Sequence, residues 1–261
     1  MDNSLNYENN YEYIKKHQSI SSFLYLGNCN INENDVEFIV DLIKNKPVIQ
    51  LFLYNNNIGC NGAKFIAELL KINERLKELN LSGNNIGNEG IKYIAESLKI
   101  CDRKNLKSRL RKLNLGKNNI TKDGANFIAK SLENNKYLKE LNLNNNNIGD
   151  QGIYMMGVEI FQQLTCLDLR HNNISNDAIK FIIESLTVDK KQNLISLKLN
   201  GNNIDKKWKI LIKKIILTNR TNFEKNYNER KMERFYILMN LYLLKKSWQL
   251  EFLEFFNNII N

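Results

Sequence analysis

Cys166, Asp168 and His171 stand within six residues of one another. Those side-chain types are the ones a cysteine nucleophile, its base and the group orienting that base would need. The spacing argues against that chemistry. A strand through TCLDLRH puts alternate residues on one face, but roughly 7 Å apart on an open surface. A nucleophile needs its base within hydrogen-bond reach in a sheltered cleft. His17 is the only other histidine, and Cys29, Cys60, Cys101 and Cys166 are scattered with no CxxC or metal-ligand spacing. No Gly-rich phosphate loop or paired-carboxylate pocket is legible. The expectation is a protein that is not an enzyme, with no catalytic residue, cofactor, metal or small-molecule substrate.

Charge offers a second kind of chemistry. Of the net +10, Lys99 to Lys112 carries +6, through Lys99, Arg103, Lys104, Lys107, Arg109, Arg111 and Lys112 against Asp102. Asp205 to Asn261 carries another +6, with twelve basic and six acidic residues. Arg103, Lys104, Lys107, Arg109 and Arg111 form a basic loop able to meet an anionic surface: acidic protein, lipid or RNA. The alternative is a solvated loop. No aromatic-basic interleaving accompanies it, so nucleic acid is the weaker partner.

The elements that must carry these residues repeat. LKELNLSGNNIGNEGIKYIAESL begins at Leu76, LRKLNLGKNNITKDGANFIAKSL at Leu110 and LKELNLNNNNIGDQGIYMMG at Leu138. Seven such units start at 21, 48, 76, 110, 138, 164 and 194, spaced by 27, 28, 34, 28, 26 and 30 residues. The one long spacing coincides with the basic cluster, so the cluster is an insertion between a helix and the next strand. In LxxLxL, alternation predicts a short strand with leucines inward and the residues between them on an outer face. The next asparagine (Asn56, Asn84, Asn118, Asn146, Asn172, Asn202) stands where the chain turns, replaced by Cys29 in the first unit. Its amide can pair loop backbone groups that would otherwise be buried unsatisfied. Gly62, Gly90, Gly124 and Gly152 then fall just before or at a helix start, and apolar residues recur at helical spacing, as in Ile91, Ile94, Ala95 and Leu98.

This pattern resembles the leucine-rich-repeat superfamily, in particular the long, helix-containing ribonuclease-inhibitor-like subtype, whose units read LxxLxLxxNxIxxxGxxxIAxxL. The resemblance runs from Ser21 to about Leu217. It implies an α/β solenoid, a right-handed horseshoe of seven repeats with a concave parallel β-sheet and convex helices. It also implies a scaffold that binds a protein partner on the concave face. Ran-type GTPase-activating proteins share the repeat, and Arg170 or a concave asparagine would act in that reading, although no specific motif of that class is present. A host-directed effector is a further alternative. Ribonuclease inhibitors are acidic and cysteine-rich, which disfavours their role for this basic chain.

Alignment of the units assigns the concave face. Its aromatic end is Phe23, Tyr25, Phe52 and Tyr54. Asn80, Asn114 and Asn142 follow, and then a mixed-charge patch of Asp168, Arg170, His171 and Lys198. Residues 1–20 are expected to be a partly disordered N-terminal cap, 21–217 the array, and 218–261 a helical C-terminal cap. In the last segment Trp248, Phe252, Phe255 and Ile259 share one helical stripe. Residues 1–20 are an alternative cover for the aromatic end. No signal-peptide pattern or stretch of about 20 apolar residues is legible. The expectation is an intracellular, cytoplasmic monomer, with export by another route left open.

Overall fold

A three-residue strand and a helix alternate along the chain because each unit offers one buried strand face and one amphipathic helix, and neither can be covered without a neighbour. The computed structural model describes residues 12, 21–99, 109–133, 135–187, 193–225 and 228–229. The chain divides into two compact units, Met1–Leu217 and Thr218–Asn261. In the second, residues 218–225 are helical. The aromatic stripe of the C-terminal segment, residues 1–20 apart from Glu12, and Arg103, Lys104 and Lys107 lie outside the described residues.

The first unit contains one seven-stranded parallel sheet in sequence order. Its strands are β1 (Phe23–Tyr25), β2 (Gln50–Phe52), β3 (Glu78–Asn80), β4 (Lys112–Asn114), β5 (Glu140–Asn142), β6 (Cys166–Asp168) and β7 (Ser196–Lys198). The register pairs Leu24, Leu51, Leu79, Leu113, Leu141, Leu167 and Leu197 in one row, so the inward leucines of all seven units stack. The helices are α1 (Glu33–Ile43), α2 (Gly59–Ile72), α3 (Gly87–Leu98), α4 (Lys122–Leu132), α5 (Gly149–Met156), α6 (Glu159–Gln163) and α7 (Asn176–Thr187). Residues 206–217 are also helical. The leucines of the strands, the turn isoleucines Ile58, Ile86, Ile120, Ile148 and Ile174, and one face of each helix form one continuous core. Helices need about 10 Å of width and strands about 4.8 Å, so the sheet lines the inner side of the curve.

Gly62, Gly90, Gly124 and Gly152 sit inside the first turn of their helices rather than ahead of it. Their work is close approach. A Cβ on Gly90 would lie 2.5 Å from Ile86 Cγ2, 3.1 Å from Ala63 Cβ and 3.2 Å from Cys60 Cα. Only a hydrogen there lets α3 lie against α2. In the fifth unit the expected single helix is broken at Gly157, φ +69°, into α5 and the short α6.

Candidate functional site

The turn asparagines were expected to satisfy loop backbone, and each does so across two units. Asn118 Oδ1 accepts the amides of Asn84 and Ile86, while its Nδ2 donates to the carbonyls of Leu81 and Gly116. Asn56, Asn84, Asn146, Asn172 and Asn202 repeat this with small variations. Asn202, for example, accepts from Asn172 and Ile174 and donates to Leu169 and Leu199. Asn84, Asn118 and Asn172 are fully buried. Each carboxamide reaches back to the preceding unit. Cys29 holds this position in the first unit, and its thiol donates to Gly27 O at 3.4 Å.

The ladder fixes the direction of each strand and so the inner face. Phe23, Tyr25, Phe52 and Tyr54 come together at its β1–β2 end. Tyr25 and Phe52 stack with centroids 4.8 Å apart and planes 6° apart, and the Tyr54 ring lies where a Cβ on Gly27 would be. Phe23 and Tyr25 are 49% and 43% exposed. From β3 onward the face turns polar and sinks into a trough of about 280 Å³, lined by residues of β3 to β7. Gln50 Nε2 donates to Glu78 at 2.8 Å, and Lys112 and Glu140 pair at 3.1 Å. Hydrogen bonding to Glu140 holds the Lys112 ammonium above its ordinary pKa. Asn80, Asn114 and Asn142 use Oδ1 to accept the amide two residues on, at 3.1, 3.0 and 2.9 Å. Their amide nitrogens then line the trough as donors.

Asp168 takes the same position on β6 and is buried. It accepts from Arg170 Nε at 2.9 and 3.0 Å and from Nη2 at 2.7 Å, and Lys198 Nζ lies 3.9 Å away. The hydrogen bonds to Asp168 raise the Arg170 pKa. Asp168, Arg170 and Lys198 thus form one cluster. His171 does not join them on the strand. It stands in the left-handed turn, φ 53°, with its ring packed over Gly201. The cause is column-wide: Asn28, Asn55, Lys117 and Asn145, with Gly83 and Gly201, take positive φ at that position. Cys166 has its thiol pKa raised, chiefly by burial and then by Glu140, and the groups acting on it do not include His171. Among the described residues no group of three His, Cys, Asp or Glu side chains is placed to hold a metal ion.

Three polar sets carry structure that residue spacing did not reveal. Asn73 and Asn135 are buried between helix end and strand; Asn73 accepts from the amides of Arg75 and Leu76 and donates to Ile43 O and Lys46 O. An outer row links Asn119 to Asn85 and Asn173 to Asn147, and Asn55 donates to Asn28 in the column of His171. Asn88 and Asp150 cap the following unit's helix, Asn88 accepting from the amides of Thr121 and Gly124. A periodic column of asparagine is the signal that marks the outer row.

The two rims of the array differ in charge. The helix-to-strand connections carry nine basic and two acidic residues among the described ones, with Lys44 and Lys46, Arg75 and Lys77, Lys99, Arg109 and Arg111, and Lys136 and Lys139 in successive units. The opposite rim begins helices with Glu33, Asp35, Glu89, Asp123, Asp150 and Asp177, favourable near a helix N-terminus.

A family model described as Leucine Rich repeat matches residues 73–95, 108–129, 134–157 and 162–182, within the third to sixth strand–helix units. The described array has the fold of a leucine-rich-repeat solenoid. Several solved structures resemble it. Leiomodin-1 actin-binding site 2 is 16% identical, with a TM-score of 0.47, over 77% of this chain and 94% of that one. A structure of the Rad7 and Elc1 complex in yeast is 20% identical, with a TM-score of 0.49, over 75% and 41%. An internalin (inlF) of Listeria monocytogenes is 20% identical, with a TM-score of 0.40, over 70% and 48%. The chain spans less than half of the last two. No curated protein matches it.

Proposed function

We propose that the array is a protein-interaction scaffold whose inner face grips a partner at the β1–β2 end and orients it along the polar trough. The observation that supports this most is the exposed aromatic cluster, Phe23 and Tyr25 beside the Tyr25–Phe52 stack. Rigid aromatic side chains on a concave surface are the usual anchors of protein interfaces. The trough supplies amide donors from Asn80, Asn114 and Asn142, and charges from Glu78, Glu140 and Lys198. Such groups give register and selectivity more than affinity. The partner is a protein rather than a small molecule, because the trough is open along the sheet. The ribonuclease-inhibitor-like subtype is supported by the helices of 11 to 14 residues in α1 to α4 and α7.

The GTPase-activating alternative is less well supported, since Arg170 is already bonded to Asp168 by three contacts. A photoreactive phenylalanine analogue replacing Tyr25 is the direct test. It should cross-link one partner, and the unlabelled variant Phe23→Ala with Phe52→Ala should no longer capture that partner while its circular dichroism is unchanged. Undiminished capture refutes the reading. A panel of small GTPases hydrolysing GTP faster in the presence of the protein would favour the alternative.

A further inference from the structure

The helix-to-strand rim lies apart from the inner face, and its charge is concentrated. Lys77, Arg111 and Lys139 hold the same position in three consecutive units. The Arg111 amide donates to Lys77 O at 2.8 Å, and the Lys139 amide to Arg111 O at 2.9 Å. Neighbouring strands are about 4.8 Å apart, so three cations start from a row about 10 Å long. Arg109 joins them from the same connection as Arg111, and its nearest carboxylate, on Glu74, is 3.9 Å away. Arg111 has no ion pair among the described residues. Burial, and then the positive charges of Arg109 and Arg111, lower the Lys77 pKa. Like charges held this close, with Glu74 as the carboxylate that the described contacts place among them, are a ready site for an external anion.

The rim also carries apolar side chains. Ile49, one unit before Lys77 in the same column, is 39% exposed, and Ile72, at the end of α2, is 49% exposed. Interleaved basic and aliphatic residues suit a phospholipid headgroup region, where charge meets phosphate and the aliphatic groups enter beneath it. Single-stranded nucleic acid would instead call for aromatic platforms among the cations. The described rim offers only Tyr137, half-buried, at the strand approach.

We propose that this rim rests on an anionic lipid bilayer, with Arg75, Lys77, Arg109, Arg111 and Lys139 over the headgroups and Ile49 and Ile72 entering the interface. The acidic opposite rim is then turned to solvent, and the inner face stands roughly across the membrane plane, open to a partner.

Flotation of the full chain with phosphatidylcholine vesicles, with and without phosphatidylserine, tests this. Binding should require phosphatidylserine and weaken steeply with salt. Arg75→Gln with Arg111→Gln, both exposed, should lower the affinity about 30-fold, from about fivefold per removed charge. Lys64→Gln with Lys122→Gln removes the same charge from exposed positions of α2 and α4 away from that rim and should leave binding within about twofold. Ile72→Ser should weaken binding while keeping its salt dependence. The proposal is overturned if the wild-type chain does not float, if the rim pair binds like wild type, or if the α2 and α4 pair loses as much. It is also overturned if single-stranded RNA, and not the vesicle, is the ligand the rim pair loses.

Discussion

A buried carboxamide that serves four backbone groups is hard to replace. Asn118→Ala would leave two buried amides and two carbonyls without their partner, each a loss of about 1–3 kcal/mol where water cannot enter. We expect urea unfolding to show a loss of about 3 kcal/mol or more for that variant. Asn114→Ala, four residues earlier in the chain, removes one accepted bond on a half-exposed face and should lose about 1 kcal/mol. Equal losses would show that the ladder is not what stabilises the turns. At this scale the sequence was informative for the inward ladder, whose asparagines recur at one offset from the leucines. It misled at His171, where a strand alternation was carried three residues past Asp168 into a turn that the Asn, Gly and Lys of the neighbouring units already mark as left-handed.

Elements follow from contacts between units. The strands and their register were legible because leucine spacing repeats and one slipped residue would expose a whole row. The interruption at Gly157 was not legible, because a positive φ is a property of the backbone that glycine permits but does not announce. Nor were Asn73 and Asn135, whose partners lie 30 and 37 residues upstream at the end of the previous helix. Helix spacing gives another prediction. Gly90→Ala forces α3 away from Ala63 and Cys60 of α2 and should cost about 1–3 kcal/mol. Gly87→Ala meets nothing within 4 Å, and its penalty comes from its φ of +65° alone, about 1 kcal/mol. Thermal melts of the two variants distinguish crowding from backbone strain. A crystal structure of the Gly90 variant should show the two helices farther apart.

For the whole molecule, the aromatic end and the polar trough share the inner face of one unit, and the basic rim is a second surface of the same unit. Stability in such an array is carried by interfaces between neighbours, so it should be highest in the middle. Hydrogen exchange should be slowest between Glu78 and Asp168, where each strand has described partners on both sides, and faster toward β1 and β7. Uniform protection would mean that the array unfolds as a single block. The asparagine ladder carries a further consequence, for how such a chain can lengthen. Each carboxamide reads the unit before it and presents the same amides and carbonyls to the unit after it. A duplicated copy of residues 82–115 would therefore splice in with the turn-asparagine ladder carried through. The array is grammatical: interior units are interchangeable words.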